Sequence, residues 1–529
     1  MRAMFPMGLT LRWNRMLTAF ILAVAIAWAG TRLLRGPWSL AAVAVVTVLV
    51  LSVVLVRWRG APLSMLLWGR IGRRRVNATA KATSIDHRLR WTTTSAAIRA
   101  DGYDLVAVVA VDGPSHSPSV LDHHQVKSAA TLPVNVVADA LRQFDVKLSG
   151  IDIVSAGRRR APASHHHHSD TYTSVVGDHS AVGERRTWCV LRLNTFDNAA
   201  AVASRDSVAA TLAACAQRLA TELVAHRCPA RVVDSAELDD ADAALLTGID
   251  SDVQSGWAGL STPNGTLASY SLTPVEISSA TLDRLWSPDT DATATTLQLR
   301  RAPQGEVRIG ALVRYATAGP QLRRPLTGLN PLSGRHDLGL LAGLIDPGVP
   351  PVLSPQRPLV DDEDLRAPIG ATGIIVGTLP SGHPLLVPLQ SADPAGTSTV
   401  TVAGDLALLV QIAQRSAATG LRVAVVSNRP APWRDANNAG LRVVRELPPE
   451  LPDNGRGMMV LYDHPQTTGP RAAVIVRAVE RGSASVADVH LEQDSNTTAV
   501  IRTAEFQYRI HIDVRAERNQ INASGRQVA

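Results

Sequence analysis

Acidic residues are absent from the first 85 positions of this 529-residue chain; Asp86 is the first. Cysteine is scarce, with three residues (Cys189, Cys215 and Cys228) and no CxxC pair, which argues against both a disulfide framework and a zinc site and fits a reducing compartment. Aromatics make up 4% of the chain. No GxxxxGK[ST] occurs, so ATP hydrolysis by a phosphate-binding loop has no sequence support. No GxSxG marks a hydrolase nucleophile.

The missing acids give the charge balance its meaning. Residues 1–76 hold eleven Arg, whereas the whole chain has a formal charge of +7, so the remainder is net negative. The basic excess coincides with the long apolar runs and reads as membrane topology rather than nucleic-acid binding. Arg is strongly preferred over Lys, as in proteins of GC-rich bacteria.

Two apolar runs, about 14–34 and 37–56, are expected to form transmembrane helices, since about 20 apolar residues cross about 30 Å of hydrocarbon. Arg32 can snorkel from the first. A signal peptide fits less well, because the small-x-small triplets before Arg32 do not make a convincing cleavage site and the second run would stay unexplained. Arg2, Arg12 and Arg15 lie before the first run, and Arg57, Arg59, Arg70 and Arg73 to Arg75 after the second, which places both termini in the cytoplasm. Trp13, Trp38 and Trp58 mark the edges of the runs. Arg73 to Arg75 could also touch anionic headgroups.

At this length, an anchor and at least two globular units are expected. Residues 1–76 read as the anchor, 77–290 as a first cytoplasmic α/β domain, 291–395 as a Pro/Gly-rich linker-like region and 396–529 as a second α/β unit. In the first domain, Tyr103–Val111 is a buried-strand run, 133–144 a helix with Val137, Leu141 and Phe144 on one face, and 146–154 a strand. Residues 188–193 read as a strand, and 207–226 as a helix with Val208, Leu212, Cys215, Leu219 and Leu223 aligned. Such alternation predicts mixed or parallel sheets with right-handed crossovers. Residues 158–184, which contain His165 to His168, read as an insertion. In the last unit, 399–402, 405–416 and 421–426 read as strand, helix and strand, with Gly420 as the stop.

No candidate for chemistry outweighs its plain structural reading. Consecutive histidines cannot all face one metal ion, so the His165 to His168 tract is not assigned as a site. His123 and His124 beside Asp122 have no nucleophile motif near them. Gly404 and Asp405 sit at a strand-to-helix turn, where a phosphate would meet an acid. The run Asp361, Asp362, Glu363 and Asp364 reads as a solvated acidic stretch. The expectation is therefore no catalytic residue, no cofactor, no metal and no small-molecule substrate.

Several short motifs follow the two apolar runs in order. They are Leu132-Pro133 with Val137 to Leu141, Gly150 to Ser155, Arg186-Thr187-Trp188 with Val190 to Leu193, Gln217 to Ala220, and Cys228 to Arg231. Fainter matches lie at 399–426, Arg429-Pro430 and Trp433. With these the chain resembles EccE, a membrane component of the mycobacterial ESX (type VII) secretion machinery. The resemblance implies a non-enzymatic assembly subunit of the inner membrane that joins EccB, EccC and EccD in exporting WXG100-type proteins, with EccC as the ATPase. The alternatives are a membrane-tethered enzyme of glycosyltransferase-like α/β type and a ligand-sensing regulatory membrane protein.

Overall fold

The computed structural model describes residues 8–9, 13–33, 39–58, 61–64, 74–76, 82–88, 94–122, 125–161, 176–177, 179–247, 249, 253–263, 265–319, 325–348, 353–360, 363–436, 440–464, 469–483 and 486–526. Two large sheets dominate, with fourteen and twelve strands among these residues. An apolar helical pair precedes them, Trp13–Leu33 and Ser39–Leu55. The two helices meet closely at Gly30, where a Cβ would stand 2.2 Å from Val43 Cγ2, so a side chain there would force them apart. Their apolar stretches, Met16–Gly30 and Leu40–Leu55, are shorter than the expected runs. Among the described residues, one helix has the length and apolarity of a membrane crossing, Val208–Ala225; its buried face, with Leu212, Cys215, Leu219 and Leu223, belongs to the first core, so it is a core helix.

The centre of the first sheet runs Val307–Thr317, Ala292–Arg301, Gly150–Arg158, Glu184–Asn194, Asp104–Val111 and Ser95–Asp101. Every described pairing in it is antiparallel, whereas a parallel or mixed arrangement was expected. Leu105, Ala107, Val109 and Val111 join one apolar core while Val106, Val108 and Ala110 join another across the sheet. Burial on both faces explains why this strand reads as a continuous apolar run. The helix Val208–Ala225 covers the first face and Ser235–Leu245 the second, each started by a side-chain cap, Ser207 and Asp234 respectively.

Two expectations need correction. The stretch 291–395 is no linker: Ala292–Arg301 and Val307–Thr317 pair with each other over ten residues in the middle of the sheet. Even its Pro-dense part is laid on the core, with Arg357–Pro358 beside Arg308 and Ile309, and Arg366–Pro368 beside Thr131–Pro133. Proline takes such edge positions because it has no ladder donor to offer. The helix expected over 133–144 stops at Asp139. Phe144 instead turns a small hairpin between Arg142–Gln143 and Val146–Lys147, with φ +58° and its ring exposed.

The second sheet is mixed. Six strands are parallel, in the order Leu441–Val444, Arg422–Val426, Met458–Tyr462, Val474–Ala478, Ser398–Ala403 and Val489–Gln493. Antiparallel strands continue it to Ile374–Thr378, Pro384–Val387 and then Ser119–Asp122 with Gln125–Ser128, which come from the earlier part of the chain. Helix Leu406–Ala418 packs on this sheet, and the polar C-terminal helix Arg515–Arg526 docks on it through Gln411, Gln414 and the Asp405–Arg518 pair.

His336, at the start of the helix His336–Leu341, is fully buried, and its Nδ1 accepts the Ser269 N–H at 3.0 Å. Burial pushes its pKa down to about 4. Between pH 6.5 and 4 the unfolded chain takes up a proton that the folded chain refuses, so stability is lost as pH falls, by about 3 kcal/mol over this window. His336→Asn, which keeps a short acceptor but does not titrate, should flatten that part of the pH dependence. Thermal midpoints of both proteins between about pH 4 and pH 7 check this; parallel curves would refute it.

Candidate functional site: the cleft between the two sheets

Charged side chains buried in the first sheet set the frame of the cleft. Asp152 is completely buried, yet it receives Arg192 Nε and Arg300 NH1, each at 2.6 Å. Burial alone would raise its pKa, but the two guanidiniums outweigh this and hold it below the ordinary carboxylate value. Arg192 also donates to the Asp346 carbonyl at 2.6 Å. Across the same sheet, Arg99 binds Asp242 at 2.6 Å and the Ile345 carbonyl at 2.8 Å. Both arginines thus pin the chain at 345–346 against the central strands.

The cleft, about 510 Å³, opens where the first sheet meets the second. Asp112, Arg158 and Arg186 line it from one side, and Pro388, Asp393 and Arg456 from the other. Several contacts bridge it: Arg456 to Asp240, His116 Nδ1 to the Pro388 carbonyl at 2.8 Å, and Arg185 Nε to the Gly370 carbonyl at 2.8 Å. Gly183 lies so near Thr419 that a Cβ would stand 2.5 Å from its carbonyl oxygen. Asp112 is pushed up to about 6 chiefly by burial, against the opposing pull of Arg231 at 3.0 Å.

His165 to His168, His123, His124, Asp361 and Asp362 lie outside the described residues. Glu363 and Asp364 are held by Arg357 and Arg366. Asp405 caps the helix Leu406–Ala418 and binds Arg518 at 2.6 Å, so the strand-to-helix turn offers structure rather than a phosphate cradle. The strand Arg74–Val76 pairs with Val253–Ser255. All three cysteines are buried, and burial raises their thiol pKa values. Among the described residues, no three His, Cys, Asp or Glu gather closely enough to hold a metal ion.

One cluster escaped the sequence reading. At the carboxyl ends of two adjacent parallel strands, buried Asp463 accepts from Ser427 Oγ at 2.5 Å and Trp433 Nε1 at 3.0 Å, while His464 Nδ1 lies 3.2 Å from its other oxygen. Ser427 and His464 both turn to the acid, so this is not the relay of a nucleophile and its base. Trp433 anchors the loop, and its spacing from Asp463 carried no local signal.

Fold and site together define a two-sheet α/β protein behind an apolar helical pair, whose buried charges serve the architecture. Residues 181–272 match the family model described as "Putative type VII ESX secretion system translocon, EccE". The ESX-5 secretion system protein EccE5 of Mycobacterium marinum is 34% identical over 398 residues, 70% of this chain and 97% of the relative. Its Mycobacterium tuberculosis counterpart is 34% identical over 71% of this chain and 100% of its own length, and the ESX-2 protein EccE2 of that species is 26% identical over 81% and 76%. The chain belongs to the EccE family and is a structural component of a type VII, ESX, secretion system.

Removing the carboxylate charge at Asp152 leaves two guanidiniums facing one another without a counter-charge. Asp152→Asn should lower stability by about 3–5 kcal/mol, whereas Asp364→Asn, in an exposed pair, should cost less than about 1 kcal/mol. Guanidinium denaturation of the detergent-solubilised variants measures both, and equal effects would contradict the ordering.

Proposed function

We propose that this chain is a non-enzymatic, membrane-anchored subunit that assembles with EccB, EccC and EccD type proteins at the bacterial inner membrane and supports export of WXG100-type proteins. The observation that carries the reading is the near-complete coverage of the EccE5 relatives at 34% identity. The helical pair is the anchor. Its helices of 21 and 17 residues are about 32 Å and about 26 Å long, close to the hydrocarbon thickness.

The side chains of the pair suit lipid. Phe20, Val24, Leu40 and Leu49 face outward, and the Thr47 and Ser52 hydroxyls bond the carbonyls of Val43 and Val48 on their own helix. Arg32 lies 5.9 Å over the Trp28 ring, as at a membrane boundary. The basic flanks support a cytoplasmic position for both termini and both sheets. Closed ion pairs across the sheets support a structural role over an enzymatic one.

Purification of the tagged full-length protein from its native cells in mild detergent, with mass spectrometry of the large complex, should recover EccB, EccC and EccD homologues. A protein that migrates alone would sink the assembly reading. For topology, Gly36→Cys should react with an impermeant maleimide in intact spheroplasts, and Thr83→Cys only after permeabilisation. The reverse pattern would overturn the orientation.

A further inference from the structure

Four residues on adjacent strands of the first sheet stand in one row across the cleft. Arg186 is directly opposite Ala156, Ala156 opposite Ala294, and Ala294 opposite Arg314. Direct partners share a face, so all four side chains point the same way, and the outer two Cα atoms are about 14 Å apart at the usual strand spacing. Ala292 and Ala316, two residues along, point to that face too. The result is a trough with an alanine floor and an arginine at each end, inside the cleft of about 510 Å³.

Among the described residues Arg314 has no acid beside it, and Arg186 closes no ion pair although Glu184, Asp240 and Asp112 act on it. The acids around them are engaged elsewhere: Asp112 with Arg231, Glu184 with Arg158, and Asp240 with Arg456. Arg186 lies 5.2 Å over the Trp188 ring. Arg314 is 93% buried and donates to the Leu245 carbonyl at the end of the helix Ser235–Leu245. Burial pushes Arg314 down to about 10 and Arg186 below its ordinary value; a guanidinium is not deprotonated at neutral pH. Capping that helix accounts for one donor of Arg314, but not for Arg186 or the alanine floor.

Two desolvated guanidiniums that close no ion pair are costly, and an anion between them would offset that cost. We propose that the trough binds a phosphate-type oxyanion between Arg186 and Arg314. The guanidinium fork matches phosphate oxygens, the alanines leave room for them, and the cleft volume lies in the range of small-molecule sites.

Calorimetric titration of the full-length protein in detergent, with inorganic pyrophosphate and separately with ATP, tests this. Sub-millimolar binding of at least one is expected. Arg186→Gln, Arg314→Gln and Ala294→Leu, the last filling the trough while keeping both charges, should each weaken it at least about tenfold. Arg366→Gln, at an exposed pair, should bind like the unsubstituted protein. If Arg314→Gln fails to fold, Arg186→Gln and Ala294→Leu decide. Tighter ATP binding identifies a nucleotide ligand, and equal or weaker ATP binding a free phosphate group. Absence of binding to both probes, or equal binding by Arg186→Gln and Ala294→Leu, overturns the site without touching the assembly reading, which co-purification tests.

Discussion

The carboxylate of Asp152 is the constraint on which the first sheet depends. An acid at zero exposure is stable only with compensating charge and filled lone pairs, and here the two guanidiniums come from different strands, Arg192 on one side and Arg300 on the other. A one-residue slip of either strand would turn its arginine to the opposite face and leave the acid unpaired. The triad therefore selects one register among the many that alternating Val, Ala, Ile and Leu would allow. Through Arg192, and with Arg99 bound to Asp242, it also fixes the chain at 345–346, so that the Pro-rich stretch starts from a defined place on the core.

The parts of this fold that were legible are those in which local pattern and tertiary burial agree. The helix over 208–225 was readable because Leu212, Cys215, Leu219 and Leu223 repeat at helical spacing and face the sheet. The strand at 104–111 was readable because both its faces are covered. Residues 292–317 were not, since Thr, Ala, Gln and Arg alternate where a strand is central yet partly lined by polar and cleft-facing side chains. At 133–144 the periodicity misled: Leu141 is buried, but Leu148 N–H bonds its carbonyl and closes a hairpin, leaving Phe144 outside. Of the candidate site, the charged residues were visible in the motifs, namely Asp152, Arg186, Arg192 and Arg231. What they touch was not, because Arg300, Arg314 and Asp112 lie far away in sequence and are brought near by strand order alone.

The cleft follows from how the chain is shared between the sheets. Ser119–Asp122 and Gln125–Ser128 leave the first core and complete the edge of the second sheet, then Thr131–Pro133 returns to pair with Arg366–Pro368. The second sheet thus contains chain that lies in sequence within the first unit, and separating the two would break backbone pairing as well as side-chain contacts. The Ala161 N–H to Ala418 carbonyl bond and the Gly183 approach to Thr419 strengthen the joint. A cleft so framed keeps its shape, and it keeps the row of alanines between Arg186 and Arg314 open.

This joint bears on how a membrane-associated subunit can act by contact. A structural component must transmit position from one surface to another, and this requires units that do not slide. Buried ion pairs are a poor source of net stability but a good source of uniqueness, because each excludes the arrangements that leave a charge alone. The same economy applies to Asp463, which Ser427 and Trp433 bind so that the Trp433 loop is held at the carboxyl edge of the parallel strands instead of leaving that edge free for chemistry. Where parallel α/β sheets usually place a ligand, this chain has placed a closed polar knot. Its open, charged space lies instead between the sheets.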